Sequence, residues 1–393
     1  MRILHVTPYF APAFAYGGPP RSILGMCKAL TATGVDVEVF TTTANGSGPD
    51  LPPAVQAPRN YEGVPVWYFP RELGSKFFRA PSMREALRKA IAGFDLVHIH
   101  TIWNWVEWTA VRESVKAGVP YVISPRGMLE ASAMRHRRWR KAVAFPLLER
   151  RNLGRAAFLH ATAATEYETL DRLALGVRSV LVPNAVDGVL NREDFAGILR
   201  KRIGVRPDVP IVAWLGRIHP IKRLDLLAEA FRQVHEHIPA HLVIAGPDET
   251  GQRQSLEGLL RGIASDVHWL GELNDAQKRE LLSDANVLVL CSNSESFGMS
   301  VLEALAAGTP VVVTRTCPWQ EVESAGCGFW VEQEAQAMAK ALLDILSDPI
   351  LAATMGKKAQ QLVRSRYSWS SVSQKMLQCY TRALTSVGSG DWP

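Results

Sequence analysis

Several signatures are missing from this chain, and each absence removes a class of function. No G-x-G-x-x-G and no G-x-x-x-x-G-K-[ST] occurs, so neither the dinucleotide fingerprint nor a P-loop is available. No D-x-D triplet occurs either, which takes away the usual acidic handle for a metal–diphosphate complex. No apolar run reaches the roughly 18 residues needed to cross a bilayer. The opening MRILHVTPYF has one early Arg and lacks the roughly 7–15-residue apolar core of a signal peptide, so it reads as a buried first strand and the expected location is cytoplasmic. Cysteine is scarce. The five (Cys27, Cys291, Cys317, Cys327 and Cys379) are odd in number, scattered and without metal-ligand spacing, as free thiols in a reducing compartment are. Repeats of 20–50 residues and low-complexity segments are also absent.

Charge is present, but in one place. The net charge is +6 over 393 residues. RHRRWRKAVAFPLLERR, residues 135–151, holds seven Arg or Lys and one Glu, a local net of +6, so the rest of the chain balances near zero. With Trp139, Phe145 and Leu147–Leu148 interleaved, this composition suits a helix lying on an anionic membrane surface; a solvated basic face is the plainer reading. Nucleic acid is disfavoured, since no binding fold or second basic surface accompanies the patch.

The length suits two domains, and 47% apolar content suits packed cores. Short Val/Ile/Leu-rich runs alternate with helical patterns. RILHVTPY, VDVEVFTT, LVHIHT, YVISP and AFLHATA read as strands, and VPIVAWLG, AHLVIAG, VHWLG, ANVLVLCS and TPVVVT repeat the theme from about residue 210. Strand–helix alternation predicts two α/β, doubly wound parallel-sheet domains. The expected divisions are 1–185, 186–368 and a tail, 369–393, whose RYSWSSVSQKMLQCYTRAL reads as a helix able to return to the first domain. Ligands of open α/β sheets bind beyond the carboxyl ends of strands, so two such domains are expected to share a cleft there.

The candidate residues fall at those strand ends. Gly17 and Gly18 open a helix after the first strand, where backbone N–H groups can approach an anion; a tight βα turn is the simpler explanation. In GRIHPIKRLD, Arg217 and Lys222 follow a strand and precede a helix, as suits a diphosphate, or as ordinary surface charge would lie. In SESFGMSVLE, a helix is predicted to start between Gly298 and Ser300, with Glu295 in the loop before it and Glu303 in about its first turn. Ser300 and Glu303 also satisfy S-x-x-E, a capping box, which accounts for only one of the two acids. His98 and His100 lie on one face of a strand by period two; without a further fitting ligand nearby in sequence, His100 is expected to line the cleft rather than hold a metal. The tryptophans of TIWNWVEW are expected in the core, with sugar stacking or lipid contact as the alternatives.

Together GGPPRS at 17–22, GRIHPIK at 216–222, SESFGMSVLEALAAGTPVV at 294–312 and the final helix resemble the retaining family-four, or "group 1", glycosyltransferases of GT-B architecture. The resemblance implies two Rossmann-like domains facing a central cleft, an acceptor on the first and a nucleotide-diphosphate sugar, UDP- or GDP-linked, on the second. It implies that Arg217 and Lys222 neutralise the diphosphate and that backbone N–H groups of Phe297, Gly298, Met299 and Ser300 cradle it. Glu303 would take the ribose hydroxyls, Glu295 the transferred sugar, and the strand ending at Gly271 the base; Gly17 and Gly18 would let a loop close over the phosphates. No cofactor or metal is expected. Two positions depart from the pattern. Arg126 in YVISPRGM stands where the family often has a His, and Ala185 in PNAVD where it has Gly. An arginine cannot act as a neutral proton acceptor, so the expectation is that His100 covers part of that role, or that Arg126 meets a leaving phosphate or an acidic acceptor instead. The implied product is a glycan or lipid-linked glycan of a bacterial surface; the rivals are a non-catalytic nucleotide-sugar or glycan binder and a nucleotide-sugar epimerase.

Overall fold

A computed structural model describes residues 1–46, 48–72, 77–130, 133–134 and 144–385, the Leu147 side chain apart. Most of the basic stretch, residues 135–143, falls outside them; of its remainder, Phe145–Glu149 is a π-helical turn and Arg150–Leu153 an α-helical one.

The chain forms two compact units, residues 1–185 with 369–393, and residues 186–368. The first is built on eight strands: β1 Arg2–Val6, β2 Asp36–Thr42, β3 Ala54–Tyr61, β4 Val64–Phe69, β5 Leu96–His100, β6 Tyr121–Ser124, β7 Phe158–Ala161 and β8 Ser179–Leu181. Their order is β3-β4-β2-β1-β5-β6-β7-β8, parallel except for β3 against β4. The second unit has β9 Ile211–Leu215, β10 His241–Ala245, β11 Val267–Gly271, β12 Val287–Leu290, β13 Val311–Thr314 and β14 Gly328–Val331, all parallel, in the order β11-β10-β9-β12-β13-β14.

The central strands are apolar because helices cover both faces. Every residue of β5, β6, β12 and β13 is buried. Each fully buried Val, Leu or Ile there contributes about 1.5–3 kcal/mol. The sequence reading found these strands and missed β3, β4, β8 and β14. β3 is an edge strand with six consecutive exposed residues, so it lacks the apolar signal. Its hairpin to β4 turns through Glu62 and Gly63, both at positive φ (50° and 90°), the two-residue primed turn that matches strand twist.

In the first unit the longer helices are α1 Gly18–Ala32, α2 Pro81–Ala90, α3 Trp105–Ala117 and α4 Ala164–Arg172. In the second they are α5 Leu224–His235, α6 Asp275–Asp284, α7 Met299–Ala306, α8 Ala335–Leu346 and α9 Pro349–Leu362. The last helix, α10 Trp369–Thr385, belongs to the first unit. It buries Val372, Met376, Cys379 and Tyr380 in the same core as Ile23, Met26, Cys27 and Leu30 of α1. The two helices meet at Gly25, where a Cβ would lie 2.1 Å from the Trp369 ring, so only glycine lets them approach this closely. All five cysteines are buried and free.

Candidate active site

In the second unit, β9, β12 and the start of α7 bring together the residues of GRIHPIK and SESFGMSVLE. After β9 the chain makes a single 3-10 turn, Pro220–Lys222, whose His219 side chain accepts from the Ile221 N–H at 3.2 Å. Lys222 Nζ then donates to Glu295 Oε2 at 2.5 Å, both side chains largely buried at 17% and 15% exposure. Ser292 Oγ lies 3.5 Å from the same carboxylate oxygen. The segment is held from below. Asn293 N–H donates to Ile221 C=O, and the Cys291 thiol faces the carbonyls of Lys222 and Arg223.

α7 starts at Met299 with Gly298 as its N-cap, and no side chain caps it. Gly298 is required twice over. Its φ is 88°, and a Cβ would meet Leu290 at 2.9 Å and the Trp319 indole nitrogen at 3.0 Å. The same indole donates to the Phe297 carbonyl, fixing the loop's exit. The capping box expected from Ser300 and Glu303 is therefore not formed, because the N-cap is two residues earlier. Glu303 lies in the second turn of α7 and accepts from Lys278 Nζ of α6 at 3.1 Å. The first turn carries no side-chain cap and no acidic residue, so its N–H groups have no side-chain partner within the helix end. Arg217 stands apart from this group. Half exposed, it pairs with Glu249 at 2.9 Å. Gly271 closes β11 at φ 66°, and its carbonyl accepts from Gly246 N–H at 2.7 Å.

The corresponding end of the first unit is built differently. Three non-glycine residues there hold positive φ: Thr101 (68°) and Trp103 (64°) after β5, and Arg126 (57°) after β6. Strain of this kind persists only where the surroundings impose it. Asn104 holds the first pair, donating to Thr101 Oγ1 and Ile102 C=O while capping α3 through Glu107 N–H. Glu166 holds the second turn, accepting from Gly127 N–H at 2.6 Å and from the N–H and hydroxyl of Thr162.

Beneath Arg126 lies a cluster of buried histidines. His5 of β1 and His98 of β5 are register partners, and His100 and His160 complete the group. The fixed donors and acceptors around it set every tautomer. Val182 C=O accepts from His160 Nε2–H (2.8 Å), so His160 Nδ1 accepts from His98 Nε2–H (3.3 Å) and His98 Nδ1 accepts from Tyr380 O–H (2.6 Å). Arg126 Nη2 donates to His100 Nδ1 (3.2 Å), so His100 Nε2–H donates to His5 Nδ1 (2.9 Å). Burial first, and the Arg126 charge as well, push all four imidazoles down, His5 and His160 to about 3, so they are neutral at pH 7. His5, His98 and His100 each bring a nitrogen within 4.8 Å of the others. A cation there would meet the Arg126 charge and compete with the His5–His100 hydrogen bond, so the geometry is that of a neutral network.

Two expectations change here. His100 is fully buried and lines no surface; Arg126 covers it. Gly17, at φ 87°, and Gly18 do open α1, but Pro19 and Pro20 follow, and proline has no N–H to offer an anion. Trp103, Trp105 and Trp108 are partly buried against the core, with Trp108 Nε1 donating to Glu149 Oε1 at 2.7 Å. Sequence reasoning missed Lys278, His5, His160, Glu166 and Tyr380, each of which meets a partner 25 or more positions away.

Comparison with known proteins bears on the family and the two-unit fold. Residues 197–362 match the model of "Glycosyl transferases group 1", and residues 17–185 that of the "Glycosyl transferase 4-like domain". A D-inositol 3-phosphate glycosyltransferase of Nocardia farcinica is 26% identical over 97% of this chain and 88% of its own length. Among solved structures, sucrose-phosphate synthase of Thermosynechococcus elongatus superposes with a TM-score of 0.76 at 22% identity, covering 97% of this chain and 99% of that one. HepE of Anabaena, solved with UDP-glucose, gives 0.74 at 20% identity, with 97% and 99% coverage. With two Rossmann-like units of GT-B type and family matches to each of them, the chain belongs to the group 1 glycosyltransferases.

Proposed function

We propose that this glycosyltransferase moves a sugar, with retained anomeric configuration, from a nucleotide-diphosphate sugar held by residues 186–368 to a glycan or lipid-linked acceptor bound by the first unit. The observation that carries the reading is the Lys222–Glu295 pair beside the uncapped start of α7. A cation, an acid and open backbone N–H groups at adjoining strand ends suit the three parts of one donor. Lys222 and the first turn of α7 meet the diphosphate, with Phe297, Gly298, Met299 and Ser300 supplying backbone contacts. Glu295 takes hydroxyls of the sugar. Glu303, oriented by Lys278, takes the ribose, and the end of β11 at Gly271 takes the base. Arg217 reaches the diphosphate by leaving Glu249, an exchange that costs little for an exposed pair.

The bond from the anomeric carbon to the diphosphate oxygen breaks as the acceptor oxygen bonds to the same face. The acceptor proton passes to the departing phosphate oxygen. Lys222 and the α7 N-terminus stabilise the charge that develops there. With the positive charge supplied by the chain, and no D-x-D, turnover is expected to survive EDTA. The product serves a bacterial surface polysaccharide, and residues 135–151 rest on anionic lipid at the inner face of the membrane.

A thermal-shift screen of UDP, GDP and ADP tests the donor reading, since a bound ligand raises stability as ln(1 + [L]/Kd). The expected result is a concentration-dependent rise with UDP or GDP that Lys222→Ala reduces. No shift with any of the three would overturn it.

A further inference from the structure

We propose that the strand ends of the first unit form an anion site around Arg126, and that the sugar acceptor therefore carries a phosphate group. Only the word acceptor rests on the preceding reading; the anion site rests on this unit's own geometry.

Arg126 is a cation without a counter-charge in contact. Its Nη1 donates to Ser22 Oγ (3.2 Å) and Asn184 Oδ1 (2.9 Å), and its Nη2 to His100 Nδ1 (3.2 Å); all three acceptors are neutral. Its Nε is buried and unpartnered. Among the described residues no carboxylate lies within 4.0 Å of it. Glu166 acts on it only from a distance, since both Glu166 oxygens are occupied by Gly127 and Thr162. Burial lowers the guanidinium to about 10, so it remains charged at neutral pH. A partly buried cation with no counter-charge in contact is costly, and a neutral side chain would suit four neutral imidazoles better.

The chain nevertheless invests structure in this residue. It holds Arg126 at φ 57° and Gly127 at φ 78°, and dedicates the buried Glu166 to pinning that turn. The N-terminus of α1 adjoins it through Ser22, contributing a favourable helix-end field but little hydrogen bonding, because Pro19 and Pro20 carry no N–H. An anion arriving here therefore depends on the guanidinium. A phosphate fits best. Its acceptor oxygens can take the free Nε–H and the remaining Nη2–H together, the two parallel donors on one edge of the guanidinium, with the Asn184 amide and Ser22 hydroxyl beside it. The same chemistry is offered by a soluble sugar phosphate and by a lipid-linked phosphate.

The test uses the full chain carrying Lys222→Ala, which silences the donor's diphosphate site, and titrates inorganic phosphate by thermal shift. Saturable stabilisation is expected. Adding Arg126→Gln should weaken phosphate binding at least about tenfold, the size of a lost charge-assisted hydrogen bond. Arg126→Lys, which keeps the charge but not the fork, should fall between and serves if the glutamine variant does not fold. Undiminished phosphate stabilisation in either arginine variant, or none in Lys222→Ala itself, would overturn the site. Hexose 6-phosphate against hexose, and prenyl phosphate against prenol in detergent micelles, then separate the two sources. A shift with inorganic phosphate but with neither phosphorylated probe means an adventitious ion only, and removes the acceptor claim. Failure of the donor reading would show instead as no nucleotide response in the wild type, and leaves the phosphate titration intact.

Discussion

The two units place charge at their strand ends in opposite ways. In the second, each cation near the candidate donor site already has an acid: Lys222 with Glu295, Lys278 with Glu303, Arg217 with Glu249. In the first, Arg126 is surrounded by neutral acceptors. Paired charges can be exchanged for a ligand at small net cost, because the ligand replaces one partner with another. A partly buried charge with no counter-charge in contact is destabilised until its ligand arrives, and so selects for one. The difference suggests a donor site built for turnover and an acceptor end built for discrimination.

The contrast can be broken most severely at Lys222. Lys222→Ala should reduce kcat with the donor by ~100-fold or more, the loss typical of a charge contact to the transition state; steady-state turnover near the wild-type value would remove Lys222 from that role. Next comes the α7 start. Gly298→Ala forces a Cβ against Leu290 and Trp319 at positive φ, and should weaken nucleotide binding and lower Tm by an amount corresponding to about 1–3 kcal/mol; calorimetry with the bound nucleotide checks both. Lys278→Ala leaves Glu303 unoriented, and should raise KM for the donor about tenfold with little change in kcat. An effect on kcat alone would place Lys278 elsewhere in the mechanism.

The smallest expected effect concerns a buried acid pair in the first unit. Glu107 and Glu149 are both fully buried, and burial, then the neighbouring carboxylate, pushes Glu107 well up; burial raises Glu149. A raised folded-state pKa means that the folded protein binds more protons than the unfolded one between the ordinary glutamate range and the raised value. Stability therefore falls as pH rises through that window. Glu107→Gln mimics the protonated form and can still accept from Asn152. It should raise Tm at pH 8.5 by roughly 2–4 °C, about the shift per kcal/mol in a unit of this size, and the gain should vanish by pH 5. A pH-independent difference would mean the pair does not share a proton.

Much of this molecule was legible because its signals are local. Central strands announce themselves as VLVL and VVVT, and the loop-to-helix step at Gly298 follows from a glycine before an apolar helix. What failed is non-local. The S-x-x-E pattern at Ser300 and Glu303 was locally valid, yet the helix begins two residues earlier than that box requires, and Glu303 meets Lys278 on another helix. His100 looked like a cleft residue because its partner His5 lies 95 positions away and enters through strand register. Metal spacing was judged from sequence neighbours for the same reason. The edge strand β3 was invisible because edges need no apolar face.

The placement of α10 has a consequence for how the protein is made. The first unit opens the chain, yet the Trp369 ring that fits over Gly25 and the Tyr380 hydroxyl that closes onto His98 are synthesised last. All residues of the second unit lie between 186 and 368, whereas the first unit needs the separate segment from residue 369 onward to complete its core. A chain cut after residue 368 would thus keep every residue of the second unit and leave the α1 surface around Gly25 without the Trp369 ring that covers it.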